Sequence, residues 1–420
     1  MTPTSAETSR IDVSIVMPCL DEAQCLPVCI AAAREALAVL HAEDGLTGEV
    51  VIADNGSTDG SQLVARAHGA RVVDVAARGY GAALIGGFRG ASGRFLVMGD
   101  ADGSYDFREA VGLVRRLVAG ADLCMGNRFA GGIAPGAMPW KNRWIGNPVL
   151  TGILNLFFRS GIGDAHCGLR ALTRDCFERL ALTGSGMEFA SEMVIKAALK
   201  HERIAEEPVT LAPDLRDRAP HLRPWRDGWR HLRYLVMLSP AWAFAVPAAV
   251  LALLSLSIWA AAALATLTDT RAQSPFGNHW VILAGALLGL AHVSGLLAAS
   301  THLYGCRQGY RRPARWERRF AAVVSLETML IAGAVTAAAG LAVLVGVLGH
   351  WSQHDYAAIP NVLPAVIGTT LLVVGGQTIL GGFLLAVVTG NEARFLDRRD
   401  AAVAIAPSTP AAVPTDRAAA

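Results

Sequence analysis

Four apolar runs, at about 240–267, 280–303, 320–348 and 363–389, constrain this 420-residue chain more than any other feature. Hydrocarbon offers backbone amides no water, so a run buried in lipid has to be helical, and about 20 residues suffice to cross. The sequence therefore predicts an all-α membrane half of four helices over 240–390, with residues 12–215 left to fold in water. The hydrophobic fraction of 53% and the charged fraction of 17% reflect that division. A net charge of +2 supplies no basic stripe, so a nucleic-acid partner is not expected.

Charge beside the apolar runs sets the expected orientation. Arg216, Arg218, Arg223, Arg226, Arg230 and Arg233 precede the first run. Arg307, Arg311, Arg312, Arg315, Arg318 and Arg319 lie between the second and third, and Arg394, Arg398 and Arg399 follow the fourth. The other two loops carry Arg271 as their only Arg or Lys. Basic loops stay in the cytoplasm, so a multi-pass protein of the cell (inner or plasma) membrane is expected, with the first domain and both termini cytoplasmic. The N-terminus has no basic segment ahead of an apolar core, so no secretory leader is expected. Residues 216–239 read as a basic interfacial linker. Trp225, Trp229, Leu232 and Val236 recur at helical spacing, with Arg226, Arg230 and Arg233 opposite, which predicts a helix in the headgroup plane. Residues 1–11 and the Ala/Pro-rich 391–420 are expected to be mostly disordered. The seven cysteines form no CxxC pair and read as reduced, small apolar side chains.

Within 12–215, β-rich runs at 13–17, 49–53, 71–75, 95–99, 122–125 and 204–211 alternate with helical patterns at 26–41, 61–68, 82–91, 107–119 and 191–200. That alternation predicts a three-layer α/β domain with a mostly parallel sheet. Such sheets bind ligands beyond the carboxyl ends of their strands, where Asp54 and Asp100 fall.

Asp100-Ala101-Asp102 ends the apolar run RFLVMG. Residues i and i+2 of a strand point the same way, so the two carboxylates converge. Convergent hard oxygens suit Mg²⁺ or Mn²⁺, with a substrate's phosphates completing the coordination. Neither DADGSYD nor DNGSTDG is an EF-hand, because glycine is not in the sixth place. Asp54 suits a nucleoside's hydroxyls or a plain turn whose Ser57 or Asp59 caps the next helix. Arg78-Gly79-Tyr80-Gly81 with Gly86-Gly87 lacks the GxGxxG spacing and reads as close helix–sheet packing. Arg128, after the strand that follows the carboxylate pair, is placed to reach a phosphate in the same mouth. His166 reads as a hydrogen-bonded loop histidine.

In order, VMPCLDE, DNGSTDGS, DADGSYD, GNRFAGGI, KNRWIGNPVLTG, GDAHCGLRAL and GMEFASEMVIKA resemble the family-2 glycosyltransferases, in particular the polyprenyl-phosphate group of dolichol-phosphate mannose synthase and its membrane-anchored relatives. The resemblance covers residues 12–235. It implies a nucleotide-diphospho-sugar transferase (GT-A, Rossmann-like) domain ahead of the four membrane helices. Pro18, Leu20, Glu22 and Asp54 would line the nucleoside pocket, while Asp100, Ala101 and Asp102 would contact the nucleotide. Asp102, Asp100 and Ser104 would hold Mg²⁺ or Mn²⁺, and Arg128 would meet the diphosphate or the acceptor phosphate. Arg143, Arg216 and Arg218 would hold the acceptor phosphate, and Asp164 and His166 lie in a loop near the sugar. The implied reaction is metal-dependent inverting transfer of a hexosyl unit from a UDP- or GDP-linked sugar to polyprenyl (undecaprenyl or dolichyl) phosphate, making a lipid-linked donor for envelope glycans. The implied partners are the nucleotide sugar, the polyprenyl phosphate and the bilayer, and a homo-oligomer is compatible with them. Two alternatives stand beside this. A processive polysaccharide synthase usually carries QxxRW, whereas Arg143-Trp144 follows Trp140. A lipid or sugar translocator would use intramembrane polar groups, for which His292, Glu327 and Gln377 are the candidates.

Overall fold

A computed structural model describes residues 11–217, 224–268, 270, 275–307, 325–357 and 361–389, with backbone only at 224–227. Arg218, Arg223, the side chain of Arg226, the arginines of 311–319 and the C-terminal tail lie outside the described residues.

The strands are β1 (Val13–Cys19), β2 (Gly48–Asp54), β3 (Arg71–Asp74), β4 (Phe95–Met98), β5 (Leu123–Asn127), β6 (Gly132–Ile133), β7 (Arg170–Thr173) and β8 (Ile204–Leu211). The helices of the same region are α1 (Leu26–Asp44), α2 (Ser61–Ala67), α3 (Tyr80–Gly90), α4 (Ala110–Val118), α5 (Arg128–Gly131), α6 (Asn147–Phe158), α7 (Arg174–Leu180), α8 (Phe189–Leu199) and α9 (Pro224–Met237). All six predicted strands form. Helices α6 and α7 and the short strands β6 and β7 were not expected. Apolar residues fill much of 147–158 without a clean helical stripe, and strands of two and four residues carry almost no periodicity.

The sheet order is β3-β2-β1-β4-β7-β5-β8-β6. Every pairing is parallel except those of β7, which runs antiparallel between β4 and β5. Alternation along β1 sends Val13, Ile15 and Met17 into one core with Leu26, Ile30 and Leu40 of α1 and Leu113 and Leu117 of α4. Val16 goes to the other face, whose core also holds Phe88 of α3, Leu154 of α6, Cys176 of α7, Met193 of α8 and Leu235 of α9. Gly87 lets α3 approach the sheet closely, since a Cβ there would lie 2.5 Å from Val16. This is the helix–sheet packing that the glycine-rich stretch predicts.

Among the described residues, four helices are long and apolar enough to cross a membrane: Ala241–Leu267, Asn278–Arg307, Leu326–Gln353 and Leu363–Thr389. The third begins later than its predicted bound, so Glu327 sits in its first turn beside the capping Ser325. His292 bonds Thr378 Oγ1 across the second and fourth helices at 3.0 Å, the arrangement of interhelical polar glue. The third and fourth helices touch through glycines. A Cβ on Gly375 would lie 2.5 Å from the Ala337 nitrogen and 2.6 Å from the Gly333 oxygen, whereas one on Gly376 would meet nothing within 4 Å. Gly375→Leu should therefore lower the unfolding temperature of the detergent-solubilised protein through about 1–3 kcal/mol of overpacking, and Gly376→Leu should leave it unchanged. Thermal unfolding of both variants is the measurement, and equal effects would contradict the packing described.

Candidate functional site

The antiparallel course of β7 decides what meets at the mouth of the sheet. Arg170, its first residue, pairs with Met98 of β4 and Met125 of β5, so the loop 163–169 emerges where β4 and β5 end. Asp100, Arg128 and that loop are thereby brought together.

Asp102 is buried, and its Oδ1 accepts from the Ser104 amide (3.0 Å) and hydroxyl (2.6 Å). Its Oδ2 accepts from Arg216 Nη2, and Arg216 Nε lies 3.2 Å from Glu22 Oε1. Asp100 Oδ1 accepts from the Tyr80 hydroxyl at 2.9 Å. On its other side Gly168 leaves room, for a Cβ there would lie 2.6 Å from Asp100 Oδ2. Burial and then the neighbouring Asp102 carboxylate raise the Asp100 pKa to about 6, against the opposing pull of Tyr80, Arg216 and Arg128.

Arg128 is buried, and its fork is committed to Asp164: Nε to Oδ2 at 2.7 Å and Nη2 to Oδ1 at 2.8 Å. Nη1 turns toward the Tyr105 hydroxyl at 3.4 Å, and that hydroxyl also accepts from the Gly168 amide at 2.8 Å. Burial raises the Asp164 pKa, but the Arg128 guanidinium outweighs it and holds the carboxyl below its ordinary value. Removing either partner would strand a buried charge. Arg170, fully buried, donates to the carbonyls of Cys167 (2.6 Å), Ala190 (2.7 Å) and Ala165 (3.1 Å), fixing the loop from beneath.

The remaining predicted site residues divide. Ala101 and Ser104 are buried in the same loop as the carboxylates, and Ser104 orients Asp102. Glu22 belongs to the constellation through Arg216. Pro18 pairs with Ala53 at the end of β1, and Leu20 follows in the adjoining turn. Asp54 holds its own loop, accepting from the amides of Gly56 (3.0 Å) and Ser57 (3.2 Å) and from Gln62 Nε2 (2.9 Å). Arg143 stands on the π-helical turn Asn142–Gly146, its guanidinium 5.5 Å from the Trp144 ring centre. Arg216, expected beside the acceptor phosphate, lies instead on Asp102 and Glu22. His166 departs from its expected hydrogen bonds: neither ring nitrogen has a partner among the described residues. It meets the His231 ring edge-on at 5.1 Å, and burial, reinforced by His231, lowers its pKa to about 3.

Tyr80, Tyr105 and Gly168 were missed as site residues. Tyr80 lies in the glycine-rich stretch and Tyr105 within DADGSYD, so both signals were in view. Their use depends on distances between separate loops, which spacing along one strand does not report.

A model of glycosyltransferase family 2 matches residues 14–181, and a model of the family 2 C-terminal transmembrane region matches 299–389. A low-salt glycan biosynthesis hexosyltransferase of Haloferax volcanii is 36% identical over 378 residues, 89% of this chain and 88% of that protein. The chain belongs to glycosyltransferase family 2. A polyprenol monophosphomannose synthase of Mycolicibacterium smegmatis is 29% identical over 217 residues, 47% of this chain and 76% of that one. Among solved structures, a glucosyl-3-phosphoglycerate synthase from Mycobacterium tuberculosis in complex with Mn²⁺, UDP and glucosyl-3-phosphoglycerate is 21% identical with a TM-score of 0.40, covering 54% of this chain and 78% of that one. This is accordingly a membrane glycosyltransferase with an α/β GT-A-like domain followed by helices long and apolar enough to span the bilayer.

The raised Asp100 pKa has a consequence for the metal-free glycosyltransferase. A carboxyl whose folded pKa exceeds its unfolded value of 3.8 contributes stability below that value and loses it as pH rises through about 6. Asn cannot ionise, yet it still accepts from Tyr80. Asp100→Asn should therefore raise the unfolding temperature at pH 8 more than at pH 5, by about 3–6 °C in chelator-treated protein. A gap that is the same at both pH values would contradict the burial of this carboxylate.

Proposed function

We propose that this glycosyltransferase moves a hexosyl unit from a UDP- or GDP-linked sugar onto polyprenyl phosphate, with inversion, at the cytoplasmic face of the membrane. One observation carries the reading: Asp100, Asp102, Arg128 and Arg216 share one mouth, on a domain whose second helical layer continues into the membrane half. The kinship with a hexosyltransferase and with a polyprenol monophosphomannose synthase supports the sugar and the lipid acceptor. The excess of arginine beside the first, third and fourth spans supports the cytoplasmic side.

The donor set fits a hard divalent cation, since Asp102, with Glu22 beside it, already binds a guanidinium. Asp102 and Asp100 would hold Mg²⁺ or Mn²⁺, which when bound supplies charge neutralisation for the departing nucleoside diphosphate. Ser104 keeps Asp102 turned inward, and Tyr80 fixes Asp100. Arg128 is held in place by Asp164, and Nη1, whose bond to the Tyr105 hydroxyl is long at 3.4 Å, would receive phosphate oxygens. The acceptor phosphate is anionic at cell pH, its second pKa lying near 6, so it attacks the anomeric carbon without a strong base. Attack from the face opposite the leaving group inverts that centre.

Two surfaces bring a lipid-borne phosphate to this mouth. On α9, His231 and Leu235 face the protein, whereas Trp229, Val236 and Met237 are exposed. Of the face that the sequence marks as apolar, Trp229 and Val236 are thus exposed and Leu232 is half-buried. Beside it, Trp140, Trp144, Ile145, Val149 and Leu156 are exposed along the π-helical turn and α6, with Lys141 and Arg143 among them. Phe157 of α6 stacks on Trp242 at the start of the first span, with ring centres 5.2 Å apart. Both helices are read here as lying in the headgroup plane.

The test is the purified protein with polyprenyl phosphate, Mg²⁺ or Mn²⁺, and a panel of labelled nucleotide sugars. The expected product is an acid-labile glycolipid from one donor. Asp102→Ala should lower its formation by at least about 100-fold, the scale of removing a principal electrostatic stabiliser, with membrane insertion intact. Undiminished transfer in that variant would remove the metal-site reading, and transfer to a growing glycan rather than to the lipid would remove the acceptor.

A further inference from the structure

We infer that Arg216 is a built-in counter-cation of the carboxylate site, a latch that a divalent metal has to displace and that the donor's diphosphate then receives. The inference rests on the metal reading of Asp102 given above. It starts from how firmly the segment carrying Arg216 is fastened to the loop it covers. The Ala212 amide donates to the Ser104 carbonyl, and the Leu215 amide to the Asp102 carbonyl, both at 2.9 Å. Leu215 lies over Gly103, where a Cβ would come within 2.6 Å of it. One residue further on, Gln24 Nε2 donates to Asp217 Oδ2 at 3.0 Å. Arg216 is thus held by backbone bonds directly over Asp102, with its side chain only 14% exposed.

The competition is over a single oxygen. Oδ1 of Asp102 is already engaged twice by Ser104, which leaves Oδ2 as the oxygen turned outward, and Oδ2 is where Arg216 Nη2 sits. A hard divalent ion needs its oxygen at about 2.0–2.2 Å and repels a guanidinium bound to the same atom. Metal and arginine therefore exclude one another at full strength. The arginine is also incompletely satisfied, for its Nε has no hydrogen-bond acceptor among the described residues although Glu22 Oε1 is 3.2 Å away. Leaving costs it an ion pair, and a diphosphate beside the metal replaces that pair with a stronger one. Metal alone should then bind weakly, and metal with nucleoside diphosphate cooperatively. Arg216 acts in this scheme as a positioning residue that makes metal loading conditional on the donor.

The experiment measures Mn²⁺ binding by the full-length protein in detergent, from the electron paramagnetic resonance of free Mn²⁺, with and without UDP and with no acceptor. Arg216→Gln should bind Mn²⁺ alone about tenfold more tightly than the parent, and UDP should then tighten binding less than it does in the parent. Arg216→Lys, which keeps a cation, should stay close to the parent. Asp102→Asn should lose the site. Unchanged or weaker binding in Arg216→Gln, with Asp102→Asn still defective, would overturn the latch and leave the metal site standing. Parental binding in Asp102→Asn would overturn the metal reading and the latch with it. Should Arg216→Gln fail to fold, Arg216→Met removes the same charge while keeping the apolar stem, and the same outcomes apply.

Discussion

The antiparallel strand β7 between β4 and β5 is the constraint on which the site depends. Were it parallel, the loop before it would leave the sheet at the opposite edge, and Asp164 and Gly168 would never meet Arg128 and Asp100. Its first residue, Arg170, is a fully buried guanidinium held by three backbone carbonyls. That is an expensive group to bury, and its bonds to Cys167, Ala165 and Ala190 tie the loop 163–169 to α8. The mouth is thereby a joint product of β4, β5 and the one strand that runs against them.

Charge is arranged there in two pairs that differ in kind. Arg128 and Asp164 form a buried, bidentate pair whose geometry is complete, which suits a fixed wall. Arg216 and Asp102 form a pair whose arginine Nε has no hydrogen-bond acceptor among the described residues, which suits an exchangeable one. Asp100, raised toward about 6 by its surroundings, is the member that gains most when positive charge enters.

The second helical layer joins the α/β domain to the first of the long apolar helices. Helices α6, α8 and α9 pack on the sheet face opposite α1 and α4, so their outer surfaces are free of the sheet. Exposed Trp144 and Trp229 lie on that layer, and the stack of Phe157 on Trp242 ties it to the first span. The same helices thus cover the core and approach the membrane, a double use that gives α9 its buried His231–Leu235 stripe as well as its exposed Trp face.

Sequence alone determined what depends on composition and short-range period. Apolar length marked four helices long enough to cross a membrane, alternation marked six strands of the sheet, and the end of the run RFLVMG placed Asp100 and Asp102 just beyond one strand, although they lie in a turn after Met98 rather than on the strand whose i, i+2 alternation was to align them. The place of Arg128 after the next strand put it at the same mouth, and family resemblance added Glu22. Tertiary structure alone decided the direction of β7, the commitment of Arg128 to Asp164, the bond from Tyr80 to Asp100 and the seat of Arg216 on Asp102. It also left both ring nitrogens of His166 without a partner among the described residues, and gave Asp54 to its own turn. Each of these depends on which distant segments the sheet order makes neighbours, and four-residue strands carry too little periodicity to announce that order in advance.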